Sequence, residues 1–146
     1  MKRKVIIGCF FILFGFFVGK MLFTKIRIPS FKNDGERYFF LQEGVYYSND
    51  QLKNISQGIL EYKDDKIYVY SGITKDLEVA EKIMNIYLDK NIQLNIKEKY
   101  LSNEEFKNNV EQFDLLIKSS KDKDEILKIE EVVLANYEEI IKNGEN

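Results

Sequence analysis

Aromatic and amide side chains alternate with aliphatic ones along three short runs, 38–43, 67–71 and 92–99. Successive side chains of a strand point to opposite faces, so a sheet built from these runs gathers rings and amides on one face. Aromatic rings stack on the apolar faces of sugars, and amides exchange hydrogen bonds with hydroxyl groups. The pattern therefore predicts a saccharide-binding face formed by Phe40, Gln42, Tyr68, Tyr70, Gln93 and Asn95, with Tyr38 and Lys97 on the same side.

A second interpretation of the same rings is purely structural. Tyrosine and phenylalanine are common strand residues, and an outward ring can simply cover its cross-strand neighbour. Such rings can also pack beneath the helices that are predicted later in the chain. The opposite face is expected to build the core through Phe39, Leu41, Ile67 and Val69.

The runs belong to a repeated strand–turn–helix unit. Strands are predicted over 38–43, 59–62, 67–71 and 92–99, and helices over 49–57 and 77–89. Gly44 and Gly72 are expected to end strands and to let the chain turn towards each helix. The order β-α-β-β-α-β predicts an α+β, ferredoxin-like domain over 37–101, in which two helices cover one face of a four-stranded antiparallel sheet.

The N-terminal residues predict a membrane anchor. A basic arm, 1–4, precedes the apolar run 5–23, which as a helix spans about 28 Å, close to the hydrocarbon thickness of a bilayer. Lys20 lies near the end of this run, where its long side chain can reach the headgroups. The short arm favours an N-terminus inside and a domain outside. Residues 24–36, which include the only proline, are predicted to be a linker.

Three other interpretations of the apolar run fit less well. A buried globular helix is disfavoured by the basic start and by phenylalanine on every side of the helix. A cleaved secretory signal needs small residues after its apolar core, and the first alanine of the chain is Ala80. The Gly8-Cys9 pair resembles a lipoprotein processing site. However, only four apolar or small residues separate Cys9 from the basic arm, and the apolar run continues well beyond this cysteine.

The C-terminal residues, 102–146, predict a helical hairpin. Ser102 and Glu105 fit a capping box, and two apolar stripes at helical spacing are separated by a polar break at 119–122. One interpretation is that these helices extend a small domain core, and another is that they dock a protein partner or a second copy. The segment carries 12 acidic and 6 basic residues, which disfavours binding to nucleic acid.

Composition argues against an enzyme. The chain has no histidine, and its single cysteine, Cys9, lies in the apolar run, so histidine-dependent triads and disulfides are excluded. The pairs Asp64-Asp65 and Glu104-Glu105 fall in a predicted turn and a first helical turn, where acids are favoured for local reasons. No catalytic residue, metal site or cofactor is predicted. From residue 28 onward the net charge is −8, which opposes nucleic-acid binding.

The two half-repeats resemble the SPOR (sporulation-related) domain family. The resemblance covers 37–101 and rests on 41–46, LQEGVY, and on 68–73, YVYSGI, with their paired glycines and Gln42. It implies a module that binds peptidoglycan glycan strands stripped of stem peptides, in membrane proteins of bacterial division or sporulation. It also implies that Gln42, Tyr68 and Tyr70 contact the glycan. Val45 and the short first helix depart from the family pattern.

The sequence therefore predicts a membrane-anchored, noncatalytic peptidoglycan-binding protein of the bacterial cell membrane. The alternative is a membrane-tethered protein-interaction or assembly factor that uses the C-terminal helices and binds no glycan. RNA binding through an aromatic sheet comes third, because the acidic charge and the expected outward location both oppose it.

Overall fold

The structure is a computed structural model, and it describes residues 35–55 and 58–144. The predicted basic arm, the predicted membrane helix and nearly all of the predicted linker lie outside these residues. Among the helices in the described ranges, none is long and apolar enough to cross a membrane.

Four antiparallel strands form the sheet. They are β1 (Glu36–Tyr46), β2 (Ile59–Lys63), β3 (Lys66–Thr74) and β4 (Asn95–Leu101). The spatial order is β2-β3-β1-β4, so β1 lies between β3 and β4. The predicted α+β class with a four-stranded antiparallel sheet is confirmed.

The first predicted helix is wrong in type and length. Residues Asn49–Asn54 form a short 3₁₀ helix with no buried residue, and β1 and β3 extend further than expected. Asparagine and aspartate are weak helix formers, and this segment lacks an apolar stripe that packing could stabilise.

The β2–β3 turn is as tight as predicted, because Asp64 and Asp65 adopt φ values of 51° and 58°. Two positive φ values give a hairpin turn whose twist matches the strands.

Gly44 and Gly72 lie inside strands and do not end them, contrary to expectation. The pairing of β1 with β3 shifts register on both sides of Gln42, which is typical of β-bulges. A Cβ atom on Gly72 would lie 2.8 Å from Leu41 Cδ1. A side chain at position 72 would therefore require the Leu41 side chain to shift.

Three α-helices complete the chain. They are α1 (Leu77–Leu88), α2 (Glu104–Ser119) and α3 (Lys123–Asn143). The predicted cap of α2 at Ser102 is wrong by one residue, because the Asn103 side chain accepts the hydrogen bond from Phe106 N at 2.8 Å. Asp76 and Asp122 cap α1 and α3 in the same way. Each cap satisfies a backbone donor that would otherwise lack a partner.

The first face of the sheet packs against α1, as expected. Phe39 and Leu41 lie in one buried cluster with Val79, Ala80 and Ile83 of α1. Their period-2 spacing in β1 and the helical spacing in α1 bring these apolar side chains together. The predicted core role of Ile67 and Val69 is consistent with their burial.

Most of the second face is covered, which corresponds to the alternative interpretation in which its rings pack beneath the C-terminal helices. Tyr38 and Phe40 are 0% exposed and Tyr70 is 2% exposed. They lie in one cluster with Phe106 of α2 and Tyr137 of α3. The Tyr137 ring meets Phe40 edge-on, with centroids 4.9 Å apart. The hairpin of α2 and α3 is therefore part of the domain core, because its apolar stripe covers rings that would otherwise be exposed to water.

Buried carboxyl groups join the hairpin to the end of β3. Asp114 of α2 accepts hydrogen bonds from Thr74 Oγ1 at 2.6 Å and from Lys75 N at 3.0 Å. Glu130 of α3 accepts a hydrogen bond from Ile73 N through Oε1, while its buried Oε2 has no hydrogen-bond partner among the described residues. Lys82 of α1 donates to the carbonyl of Ile117 at 2.8 Å, near the end of α2. These bonds fix the hairpin against both β3 and α1.

Candidate functional site

An open groove remains at one end of the second sheet face, where the hairpin does not reach. Its volume is about 420 Å³. We call it the sheet groove, and it is defined by Gln42, Glu61, Tyr68, Tyr70, Lys97 and Lys99. All four strands contribute a side chain, so the groove depends on the sheet and not on a loop.

Strand pairing places the groove residues side by side. Gln42 of β1 pairs with Tyr70 of β3 on one side and with Asn95 of β4 on the other. Tyr68 pairs with Glu61 of β2. The rings of Tyr68 and Tyr70 are nearly parallel, at 7°, with centroids 6.4 Å apart. The more accessible of these two rings, Tyr68, therefore has a fixed orientation at the edge of the buried cluster.

Lys99 closes the inner end of the groove. Its ammonium lies 4.3 Å from the centroid of the Tyr70 ring and 4.7 Å from that of Phe40, and it forms an ion pair with Glu61. Tyr137 of α3 adds a third ring, 5.9 Å away. A cation among ring faces is stabilised by their quadrupoles. Burial lowers the pKa of Lys99, and the Glu61 carboxylate opposes this change.

Burial is also the main cause of the raised pKa of Tyr70, to which the nearby Glu61 carboxylate contributes. Both shifts have the same origin, since the inner end of the groove excludes water. Tyr70 therefore stays a neutral phenol across the physiological range, and the inner end carries one balanced ion pair.

The six predicted binding residues do not form one exposed surface. Gln42, Tyr68 and Tyr70 line the sheet groove, and Asn95 is exposed on β4 next to Gln42. Gln93 is exposed but lies before the first residue of β4. Phe40 lies beneath Lys99 and is fully buried, so the expectation that it is available to a ligand is wrong. Tyr70 offers only its edge, because it is 2% exposed.

Two groove residues were not singled out from the sequence. Lys99 follows Lys97 by two positions, so the same period-2 argument could have placed it on this face. Glu61 lies in the five-residue strand β2, whose outward positions could have been found in the same way. The pairing of Lys99 with Glu61 could not have been predicted, since they lie on opposite edges of the sheet.

The arrangement is suited to noncovalent binding. Lys97 is exposed and forms no ion pair within the described residues, so its ammonium is free to donate hydrogen bonds into the groove. Within the described ranges no group of acidic or cysteine side chains could hold a metal ion. The sheet groove thus presents the Tyr68 ring and the Lys97 ammonium to a ligand, and the Gln42 amide, which is 8% exposed, is a mostly buried part of its lining.

The fold and the groove together define a small α+β domain with a ligand-sized depression on its sheet. No protein-family model, curated protein or solved structure matches this chain. The resemblance to the SPOR family therefore stays a prediction from the residues quoted above.

Proposed function

We propose that the chain is a membrane-anchored, noncatalytic protein that binds peptidoglycan glycan strands through the sheet groove, in bacterial division or sporulation. The observation that carries the proposal is that Gln42, Tyr68 and Lys97 open onto one groove. A sugar ring stacked on Tyr68 would place its hydroxyl or acetamido groups within reach of the Gln42 amide and the Lys97 ammonium. These are the contacts that saccharide recognition requires.

The topology of the sheet supports a SPOR-like, ferredoxin-like assignment. The connection from β3 through α1 to β4 leaves room for β1 between its two strands, which is the split βαβ arrangement. The 3₁₀ helix and the covering hairpin depart from that pattern. In this proposal the hairpin restricts the glycan to the open end of the sheet, so a shorter stretch of glycan is bound.

The proposal requires the domain to lie outside the cytoplasm. Residues 5–23 are long and apolar enough to span a bilayer, and residues 1–4 carry three basic side chains. The test fuses a reporter that is active only outside the cytoplasm to the full chain after Asn146. We expect this reporter to be active. A cytoplasmic readout would overturn the wall-binding proposal.

We expect the full-length chain to be retained on peptidoglycan sacculi, and more strongly on sacculi whose stem peptides have been removed by an amidase. Tyr68→Ala should reduce retention at least fivefold, because it removes the accessible aromatic ring on which the apolar face of a sugar would stack. Gln42→Ala should reduce it less, through loss of one or two hydrogen bonds. Co-sedimentation with purified sacculi measures both effects.

The matched control is Tyr100→Ala. Tyr100 is an exposed tyrosine of β4 that pairs with Arg37 and lies on the opposite face from Lys99 and the groove. Its removal should leave retention unchanged. Equal losses for Tyr68→Ala and Tyr100→Ala would show that retention does not use the groove. An absence of retention on both sacculus preparations would contradict the proposal.

A second candidate is a protein-interaction or assembly function of the helical hairpin. Leu115 and Leu116 of α2 and Val132 of α3 are large apolar residues that stay exposed, Leu115 at 67%. Exposed apolar residues on a helix pair are available to a protein partner. This alternative expects no sacculus retention by the unsubstituted chain, so the same experiment separates the two functions.

A further inference from the structure

The charged side chains that line the sheet groove are only partly paired with one another. Beyond the six residues that define it, the groove is also lined by Val45, Lys63, Asp64 and Glu98. The Glu61 carboxylate forms an ion pair with Lys99, and the Glu98 carboxylate lies 4.0 Å from Arg37, which is not part of the lining. Both of these acids therefore already have a cationic partner.

The remaining charged groups leave a surplus of positive charge. They are two lysines, Lys63 and Lys97, and one acid, Asp64. All three are exposed, and none forms an ion pair in the part of the chain that the structure describes. Lys63 ends the edge strand β2, and Lys97 lies on the other edge strand, β4. The two ammonium groups therefore approach the groove from opposite sides.

Lys63 also acts on the ion pair at the inner end of the groove. Burial is the main cause of the lowered pKa of Lys99, the Glu61 carboxylate opposes this change, and the charge of Lys63 lowers the pKa further. Two ammonium groups therefore share a single carboxylate in this part of the groove. A carboxylate supplied by a ligand would reduce their mutual repulsion.

The groove thus favours a ligand that has both an apolar ring face and one negative charge. The partly exposed Tyr68 ring can stack on the apolar face of a sugar. The surplus amounts to about one charge, and Asp64 would repel phosphate groups, so a polyanion such as nucleic acid fits poorly. The groove volume of about 420 Å³ falls within the range of about 300–1,000 Å³ that is usual for small-molecule sites.

We propose that the sheet groove selects an acidic sugar, whose ring stacks on Tyr68 and whose carboxylate is bound by Lys97 and Lys63. This inference rests on the proposed function, because it names the sugar that the groove takes. In peptidoglycan, the lactyl carboxyl group of N-acetylmuramic acid forms the amide bond to the stem peptide. It becomes a free carboxylate when an amidase removes that peptide. The groove therefore distinguishes stripped strands from intact ones by the charge that this cleavage creates.

The test titrates the full-length, ¹⁵N-labelled chain in detergent micelles with N-acetylmuramic acid and with N-acetylglucosamine, which differ only in the lactyl ether. We expect both sugars to shift the backbone amide resonances of Tyr68 and Lys97, and the acidic sugar to bind at least threefold more tightly. The methyl ester of N-acetylmuramic acid keeps the lactyl group without its charge, so it should bind like N-acetylglucosamine. High salt should reduce the preference, since ions screen exposed charges.

Lys97→Gln removes the ammonium and keeps a long polar side chain. It should lower the affinity for N-acetylmuramic acid at least threefold, and it should change the affinity for N-acetylglucosamine much less, because glutamine still hydrogen-bonds to hydroxyl groups. Lys63→Gln should have a smaller effect, since Asp64 is its neighbour in the chain. The matched control is Lys128→Gln, which makes the same charge change at an exposed position of α3 outside the groove. It should leave the preference unchanged.

Three results would overturn the acidic-sugar site: equal affinities for the two sugars, a methyl ester that binds as tightly as the acid, or the same loss of preference in Lys128→Gln as in Lys97→Gln. Lactate that binds as tightly as N-acetylmuramic acid would also overturn it, because the site would then bind carboxylates without reading a sugar.

These outcomes are separable from those of the proposed function. Retention of the chain on sacculi together with equal affinities for the two sugars would overturn the acidic-sugar site and leave the proposed function standing. A preference for N-acetylmuramic acid without retention on either sacculus preparation would overturn the proposed function and support the acidic-sugar site.

Discussion

The free energy of unfolding is expected to fall as the pH rises from about 4.5 to about 8, because of Glu130. Burial raises the pKa of this carboxyl group from 4.5 to about 8 in the folded chain. The folded state therefore holds the proton more tightly than the unfolded state does. The resulting stability is complete below the unfolded pKa and is lost as the pH rises through the folded one. The shift corresponds to a loss on the order of 5 kcal/mol.

The structure explains why the neutral form is preferred. Oε1 accepts from Ile73 N, but the buried Oε2 has no partner in the part of the chain that the structure describes, so a full negative charge there would lack compensation. Asp114 acts in the same direction, because burial raises its pKa from 3.8 to about 6. Urea unfolding of the full chain at a series of pH values measures the combined slope.

Glu130→Gln should flatten this profile. The amide oxygen can still accept from Ile73 N, and glutamine stays neutral at all pH values, so the variant should exceed the unsubstituted chain in stability above pH 8. Glu131→Gln, at the exposed neighbouring position of α3, should preserve the slope. Parallel profiles for the unsubstituted chain and Glu130→Gln would show that Glu130 does not bind the proton in the folded state.

Tyr137→Ala is expected to destabilise the domain by about 3–5 kcal/mol, the usual cost of deleting a large buried ring. Tyr137 is 2% exposed and contacts Phe40 and Phe106, with ring centroids 4.9 and 5.9 Å apart. It also completes the group of rings around Lys99. Its loss would leave a cavity between the second sheet face and the hairpin. It would also remove one of the three rings that stabilise the Lys99 ammonium.

Tyr137→Phe is the matched control, because it keeps the ring and removes only the hydroxyl group. We expect it to cost less than about 1 kcal/mol, since the ring supplies most of the buried area. Thermal or urea unfolding of both variants gives the comparison. A cost for Tyr137→Ala as small as that for Tyr137→Phe would mean that α3 does not pack on the sheet as described.

Much of the fold was predictable from periodicity. The alternation of Phe39 and Leu41 with their neighbours identified the face that packs against α1, and the helical stripes identified α2 and α3. Local patterns of this kind depend on a period of 2 or 3.6 residues and need no tertiary information. The same logic placed Gln42, Tyr68 and Tyr70 on one face, where the groove is found.

The state of that face was not predictable. Tyr38 and Phe40 have the residue type of either a binding surface or a core, and only the position of the hairpin decides between them. Residues from Ser102 onward carried a clear helical pattern, but this pattern left open whether the helices extend the domain core or dock a partner. Likewise, the bulge around Gln42 arises from pairing between β1 and β3, so the sequence of each strand alone wrongly suggested that both glycines end strands.

The covered sheet face has a consequence for synthesis of the protein. Tyr38 and Phe40 are made early, while Tyr137, which shields them, belongs to the last helix to be synthesised. During translation the sheet can therefore form only with one aromatic face exposed, and such faces promote aggregation and attract chaperones. The aromatic face is covered, and its tendency to aggregate ends, once α3 has been synthesised and packs on the sheet.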